Sequence, residues 1–444
     1  MITETIKGWA FSYSVCHNDY ASQSVILGRT LYYIIQKRSL YMDEDDSQNY
    51  REPEISRLHL MHMAINGDVM AEFEGGTINV FGGIPEEIVD AEIYRYRRRK
   101  KRVISAMVVK VVRPSKHRVH PPCKYFGPCS GCQWQHIQYP HQLRLKRKIV
   151  EDQLMKYPML SGVSVRNIIP DANQLGYRNH ARFAVRYGGQ IGFSNRITRR
   201  FVKIDQCKLM DRKINESLQK LQGRVSETSN LSVRVGINTS DTLIQPKLAN
   251  KKIDVKSGQQ SYREILNRRV FKVASPSFFQ TNTKQAEKMI DIVGEALELK
   301  GDEILVDAYA GVGTFALSLA SKVKKVIAIE SSLSAVNDAI EFGSDVVNVE
   351  FRLGKTEEIL KDIGEGINAL ILDPPRVGCH VDTLKAVLDL KPSRVVYVSC
   401  DPQSMSRDMN VLAEGGYEIT GVDLLDMFPQ TYHIECIVSL NMRS

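Results

Sequence analysis

The stretch EILVDAYAGVGTFALSLA, residues 303–320, most strongly limits the fold, because it joins a strand, a glycine loop and a helix without interruption. The strand closes with Asp307, and Gly311 and Gly313 allow a ligand to approach the backbone. Further on, KKVIAIE places Glu330 at the tip of the next strand, 19 residues after Gly311, where its carboxylate could bind ribose hydroxyls. This order predicts an open α/β sheet with a nucleotide-like ligand at the carboxyl ends of its strands.

The third predicted strand separates two interpretations of the glycine loop. The loop pattern Gly-x-Gly-x-x-Ala also matches a nicotinamide dinucleotide fingerprint. The third strand, however, ends in LDPPRVGC, and a nicotinamide enzyme has no evident need for Asp373 and two prolines at a strand tip. An acidic tip stiffened by proline favours an enzyme that uses S-adenosylmethionine (SAM) on a planar nitrogenous base.

A single thiol follows the strand in RVVYVSCDP, residues 394–402. Cys400 comes after a β-branched, aromatic run, and Asp401 and Pro402 are suited to cap and begin a helix. A thiol at a strand tip beside a helix N-terminus is expected to have a lowered pKa, which predicts a nucleophile. The alternative from this segment alone is an inert buried cysteine.

The length of the chain indicates about three domains, and its charge distribution indicates a polyanionic partner. The 444 residues carry a net charge of +9, and the charge divides sharply at Gly301. Residues 301–444 have 12 basic against 22 acidic side chains, which leaves 48 against 29 for residues 1–300. No apolar run reaches the length of a membrane span and no signal peptide is evident, so we expect a cytoplasmic protein without membrane contact. The eight unevenly spaced cysteines suggest metal or catalytic ligands rather than disulfides.

The basic part of the chain begins with two segments of different character. Residues 1–54 show no clear period and are expected to be a disordered extension, unless Met42 is the true start. Residues 55–115 alternate like short strands with glycine turns and predict a small β-barrel. Within it, residues 95–102 carry seven basic side chains in eight positions, with Tyr94 and Tyr96 nearby. This density favours nucleic-acid binding over a merely solvated loop.

A cysteine group marks the central segment, residues 116–266. Cys123, Cys129 and Cys132 lie close together in PPCKYFGPCSGCQWQH, and Cys207 is the other cysteine of this segment. Three local thiols and one remote thiol suit an iron–sulfur cluster, with structural zinc as the rival. A radical-SAM cluster would need different spacing. The hairpin predicted for residues 177–194 projects a row of arginines that either faces a substrate or is solvated; these are Arg178, Arg182 and Arg186.

Together these motifs resemble one known family over about residues 58–444. The motifs FFQTN at 278–282, DAYAGVGTF, LDPPRVGC, VSCDP and HIE at 433–435 stand in the order typical of RNA uracil-C5 methyltransferases. The resemblance is to the branch that acts on large-subunit ribosomal RNA and carries an N-terminal TRAM domain, an OB-fold barrel, and a 4Fe-4S cluster. It implies a Rossmann-like α/β methyltransferase domain at 267–444, after an all-β barrel and an α+β central domain with the cluster.

The resemblance also implies roles for single residues. Cys400 corresponds to the nucleophile and Glu435 to the general base, which we place in an edge strand. The residues expected to contact SAM are Gln280, Tyr309, Gly311, Gly313, Thr314, Glu330 and Asp373. The cluster ligands are Cys123, Cys129, Cys132 and Cys207, whereas Cys379 and Cys436 are expected to be core thiols.

The implied reaction is SAM-dependent methylation of uridine C5 in 23S rRNA by a monomer that binds RNA and not DNA. A thiolate that adds to uracil C6 activates C5 for attack on the methyl group, and a base then removes the C5 proton. The alternatives are the same chemistry on tRNA and a non-catalytic RNA-binding or chaperone protein. Two residues depart from the family pattern: Glu86 replaces a glycine of the barrel, and Lys355 replaces an Asp or Asn beside the adenine.

Overall fold

The computed structural model describes residues 54–98, 101–250, 252–364 and 366–443. The predicted N-terminal extension therefore lies outside the described residues, apart from Glu54. In the described part of the chain, no helix is long and apolar enough to span a membrane.

A closed five-stranded barrel comes first, with strand order β1-β2-β3-β5-β4. Its strands are β1 (Ile55–Met63), β2 (Val69–Phe73), β3 (Gly76–Phe81), β4 (Ile88–Arg98) and β5 (Lys101–Arg113). Alternate residues such as Leu58 and Leu60 point inward, as the sequence pattern predicts for a barrel. The predicted basic stretch spans the β4–β5 connection, and Arg99 and Lys100 within it lie outside the described residues.

Two neighbouring glutamates lie in the connection between β3 and β4 of the barrel. Glu86 adopts a left-handed φ of 71°, the conformation that a glycine would adopt without steric cost, so the backbone turn persists without the glycine. The side chain of Glu87 is completely buried and forms an ion pair with Arg118, with 2.6 Å between Nη2 and Oε2. Glu87 also accepts hydrogen bonds from the N–H groups of Ile84 and Ser115, so it ties the barrel to the segment that follows.

The central segment contains a five-stranded sheet in the order β11-β10-β7-β8-β9. Its strands are β7 (His180–Arg186), β8 (Gln190–Ser194), β9 (Phe201–Lys203), β10 (Asn230–Val235) and β11 (Thr242–Gln245). The hairpin predicted at residues 177–194 is confirmed, because β7 and β8 pair antiparallel. Gly188 and Gly189 form its turn with φ values of 71° and 92°.

Two other parts of the central segment contact the C-terminal domain. Strand β6 (Val165–Ile169) pairs with the C-terminal sheet instead of the central one. The strands β12 (Ser261–Leu266) and β13 (Arg269–Ala274) form a separate hairpin. The expected boundary between residues 266 and 267 falls in the turn of this hairpin, whose apolar side chains pack into the core of the C-terminal domain.

The C-terminal domain is built on an eight-stranded sheet in the order β16-β15-β14-β17-β18-β20-β19-β6. The remaining strands are β14 (Ile304–Asp307), β15 (Lys325–Glu330), β16 (Val349–Leu353), β17 (Ala369–Leu372), β18 (Arg394–Ser399), β19 (Tyr417–Leu425) and β20 (Glu435–Met442). The first five strands of the sheet order run parallel, and β20 is antiparallel to both of its neighbours. The expected edge position of Glu435 is therefore wrong, because β20 lies between β18 and β19.

Helices cover the sheet, and the sheet separates two apolar cores. The helices are α1 (Tyr139–Leu154), α2 (Arg212–Leu221), α3 (Thr283–Ala296), α4 (Thr314–Leu319), α5 (Leu333–Phe342), α6 (Thr356–Ile359), α7 (Val381–Leu390) and α8 (Pro402–Glu414). Successive residues of β14, Leu305 and Val306, are both fully buried but belong to different cores. This two-sided burial explains why the strands read as continuous apolar runs.

Candidate active site

The predicted site residues come together at one edge of the C-terminal sheet. The parallel strands β14, β15 and β17 end at or just before Asp307, Glu330 and Asp373, and Cys400 directly follows β18. Glu435 begins β20, and because β20 runs antiparallel, its first residue lies at the same edge. The register pairs Ser399 with Cys436, so the backbone brings Cys400 and Glu435 close together.

Cys400 has the local geometry predicted for it, but its acidity differs. The Asp401 side chain accepts a hydrogen bond from the N–H of Ser404 at 2.8 Å, and Pro402 is the first residue of α8. The pKa of Cys400 is raised to about 11, first by burial and then by the carboxylate of Glu435. The expected lowering by the helix terminus is therefore wrong, because desolvation and a nearby anion outweigh the dipole.

Glu435 is a buried carboxyl with an unusual affinity for its proton. Burial is the main cause that raises its pKa to about 8, and the charge of Asp373 adds to it. Asp373 itself has a pKa raised to about 7 by burial and by Asp307. A carboxyl that titrates near neutral pH at a sheet edge is suited to accept and release a proton during a reaction.

Arg376 is the site residue to which the sequence analysis assigned no role. Its charge lowers the pKa of both Cys400 and Glu435, and its side chain forms a hydrogen bond with Cys400. It is therefore a cation close enough to act on both groups expected to carry negative charge. A signal was present in the sequence, since Arg376 directly follows the acidic strand tip in LDPPR.

A cleft of about 180 Å³ opens in front of Cys400. Its walls come from the C-terminal domain, from α1 and from the turn between β1 and β2; they include Arg376, Gln403, Tyr432, His433, Ile149, Ile65 and Asn66. The barrel is docked closely here, because a Cβ atom added to Gly67 would lie 2.5 Å from Tyr432. Burial lowers the pKa of His433 to about 3, so this ring is neutral at physiological pH.

The glycine loop has the geometry of a nucleotide cradle. The N–H of Gly311 donates to Glu330 Oε2 at 2.9 Å, which fixes the acid at the tip of β15 against the loop. Gly311 has a φ of 57°, and a Cβ added there would meet no atom within 4 Å in the described residues, so its outer face is open. Asp307 Oδ2 accepts from the N–H of Ala316, while Oδ1 is buried and has no hydrogen-bond partner among the described residues. The open face and the unpaired acceptor fit a ligand with polar groups, as SAM has.

The remaining predicted SAM contacts lie in the glycine loop, at the start of α4 and before α3. Gly313 has a φ of 82° and directly precedes α4, which begins at Thr314. Tyr309 is half-buried against the core, and Gln280 precedes the N-cap of α3 by two residues. Lys355 is largely exposed, and its Nζ lies 3.5 Å from Glu358 Oε1. It stands where the family pattern has an acid or amide beside the adenine.

The four predicted metal ligands line a second cavity, of about 440 Å³; they are Cys123, Cys129, Cys132 and Cys207. Burial raises the pKa of Cys132 well above its usual value, and the other three thiols raise it further. Among the described residues, however, no group of three or more His, Cys, Asp or Glu side chains is arranged to hold a metal ion.

Comparison with known proteins connects this geometry to a reaction. A family model described as tRNA (Uracil-5-)-methyltransferase matches residues 242–443. An uncharacterised RNA methyltransferase of Synechocystis sp. is 32% identical over 402 residues, which cover 77% of this chain and 86% of the relative. The chain belongs to the RNA uracil-5 methyltransferase family. A relative from Halalkalibacterium halodurans, also named an uncharacterised RNA methyltransferase, is 30% identical and covered over 95% of its length.

A solved structure agrees with this family membership. The crystal structure of Pyrococcus abyssi tRNA (uracil-54, C5)-methyltransferase in complex with S-adenosyl-L-homocysteine is 26% identical. The two structures superpose with a TM-score of 0.69. The superposition covers 87% of this chain and 100% of the other. The chain is therefore a SAM-dependent RNA (uracil-C5)-methyltransferase with a Rossmann-like catalytic domain, and the nicotinamide and non-catalytic alternatives are set aside.

Proposed function

We propose that this methyltransferase acts on a uridine of 23S rRNA, with Cys400 as the nucleophile and Glu435 as the base. The observation that carries the proposal is the juxtaposition of the two groups where β18 ends and β20 begins. Each is weakly acidic in its buried setting, and the charge of Arg376 favours the charged form of both.

The chemistry requires both groups because C5 of uracil is a poor nucleophile. Addition of the Cys400 thiolate to C6 forms an S–C6 bond and moves an electron pair onto the ring as an enolate. SAM supplies the electrophilic methyl group that C5 attacks. Glu435, as a carboxylate, then takes the C5 proton, and the returning electron pair breaks the S–C6 bond and releases the thiolate.

We assign the SAM site to the glycine loop and the neighbouring strand tips. The residues that would hold SAM are Gln280, Tyr309, Gly311, Gly313, Thr314, Glu330 and Asp373. The cradle of Gly311 and Glu330 supports ribose binding, since each oxygen of the Glu330 carboxylate has lone pairs beyond those used by the backbone.

Substitution of the nucleophile and the base tests the catalytic assignment. Cys400→Ala should abolish transfer of a tritiated methyl group to RNA, and Glu435→Gln should accumulate a covalent protein–RNA adduct on denaturing gels. Cys16→Ala removes a thiol that we do not place in the site and serves as the control. Full methyl transfer by the Cys400 variant would refute the mechanism.

The RNA target rests on the domain arrangement, in which we assign the barrel as a TRAM-type RNA-binding domain. The basic β4–β5 hairpin and the barrel turn at the cleft support a structured RNA as substrate. A tRNA is the second candidate, because the Pyrococcus abyssi relative is a tRNA (uracil-54, C5)-methyltransferase. Mapping of 5-methyluridine in 23S rRNA and tRNA from cells that lack the protein distinguishes them, and loss from tRNA alone would refute the rRNA assignment.

We further propose that Cys123, Cys129, Cys132 and Cys207 hold a 4Fe-4S cluster. Support comes from four thiols that line one cavity, three of them close together in the sequence and one remote, which is the distribution that suits a cluster. Protein purified without oxygen should contain about four irons per chain. Stoichiometric zinc in such protein would overturn the assignment.

A further inference from the structure

The loop between β19 and β20, residues 426–434, leads directly into the proposed base. The β19–β20 ladder ends where Leu425 pairs with Glu435, so the loop closes this hairpin. It contributes Tyr432 and His433 to the cleft in front of Cys400. The position of the Glu435 carboxyl therefore depends on how this loop is held.

Side chains from the segment between β5 and β7 hold the first half of the loop. Lys146 in α1 donates to Asp426 Oδ1 at 2.5 Å and to the Phe428 carbonyl at 3.1 Å, and both charged side chains are fully buried. The Tyr177 hydroxyl donates to the carbonyl of Pro429 at 3.0 Å. These bonds leave the loop little freedom to shift relative to α1.

Gln430 is the centre of this arrangement. Its side-chain Oε1 accepts from Gln142 Nε2 at 3.0 Å, and its backbone N–H donates to Gln142 Oε1 at 3.0 Å. Its carbonyl accepts from the N–H groups of Gln133 and Trp134 at 3.2 and 3.0 Å. Gln430 has a left-handed φ of 68°, a costly conformation for a residue with a side chain, which persists because the surrounding bonds impose it.

We propose that the Gln142–Gln430 pair is a positioning device for Glu435 and sets the rate of proton removal from C5. This inference rests on the proposed role of Glu435. A catalytic group must be held within about 0.5 Å of its productive position, and Gln430 is five residues upstream of the base. We call the Gln142–Gln430 pair the clamp. Gln133, whose N–H donates to the Gln430 carbonyl, directly follows Cys132, so the clamp is connected to the cysteine loop.

The inference predicts a specific kinetic defect. If the loop shifts, Cys400 can still add to C6 and the methyl group can still be transferred, but the C5 proton leaves slowly. Elimination cannot proceed before that proton is removed, so the S–C6 bond persists. A defective clamp should therefore accumulate the same covalent adduct as a variant without the base.

Two substitutions release the clamp in different ways. Gln142→Met keeps the volume of a fully buried side chain but removes every polar contact with Gln430. Gln430→Gly removes the side-chain bond, and glycine adopts the left-handed φ at this position without the cost that a side chain brings. Lys391→Gly is the matched control, because Lys391 also has a left-handed φ, of 49°, but precedes β18 at the opposite edge of the sheet.

The assay compares steady-state methyl transfer with adduct on denaturing gels, alongside Glu435→Gln. Both clamp variants should lose about tenfold or more in kcat, keep KM for RNA within about twofold, and retain adduct. Lys391→Gly should match the unsubstituted enzyme. Adduct in Glu435→Gln but in neither clamp variant would overturn this inference alone. Absence of adduct in Glu435→Gln as well would overturn the role of Glu435 and the inference together.

Discussion

Glu435→Gln should stabilise the protein while it stops turnover, and the stabilisation should grow with pH. Burial raises the Glu435 pKa from the ordinary value of 4.5 to about 8, so the folded protein holds this proton more tightly than the unfolded chain. Folding is therefore favoured by this group below about pH 4.5, and the advantage is lost as pH rises through 8. Glutamine has no proton to lose and is not subject to this penalty.

The magnitude follows from the two pKa values. With 1.36 kcal/mol per pKa unit, the loss is about 1.4 kcal/mol at pH 5.5 and about 4.6 kcal/mol at pH 8.5. The difference between these pH values cancels any constant effect of the amide on packing. Local relaxation and the neighbouring Asp373 reduce it, so we expect a gain of roughly 2 to 3 kcal/mol across this pH range.

Thermal unfolding of both proteins at pH 5.5 and 8.5 measures this difference. For a domain of this size, the melting temperature of the variant should rise relative to the unsubstituted protein by about 4 to 12 °C between the two pH values. Glu298→Gln is the control, since Glu298 is exposed and pairs with Arg394 at the opposite edge of the sheet. A pH-independent difference, or a variant that is less stable at pH 8.5, would refute the reasoning.

Three further predictions concern the barrel. Arg118→Met leaves the buried Glu87 carboxylate without its cation and should cost about 2 to 4 kcal/mol in chemical denaturation; an unchanged midpoint would contradict the importance of this pair. Gly67→Ala places a Cβ 2.5 Å from Tyr432 at a φ of 79°, and we expect lower stability and methyl transfer. Normal activity in that variant would show that the barrel need not dock at the cleft. Neutralisation of Arg97–Lys101 with glutamine should flatten the salt dependence of RNA binding, by about 0.7 to 0.9 in log–log slope for each phosphate that the protein no longer neutralises. An unchanged slope would remove this stretch from the interface.

Much of the site was predictable because short sequence patterns control local backbone geometry. The apolar strand, Gly311 and Gly313 require a tight turn before a helix, and the structure has that turn with left-handed glycines. Cys400 follows its strand for the same reason, since a β-branched run ends where Asp401 caps a helix. These features depend on neighbours in the sequence, whose interactions do not require the rest of the fold.

The sequence by itself therefore determined the strand tips, the position of the nucleophile after its strand, and the alternation of apolar and polar residues in the barrel. Each of these follows from local periodicity and capping. Only the tertiary structure decided that β20 is an interior strand and that the charge of Arg376 acts on both Cys400 and Glu435. The acidity of Cys400 was likewise decided in three dimensions. Desolvation and charge at a site depend on groups far apart in the chain, which only the packed sheet brings together.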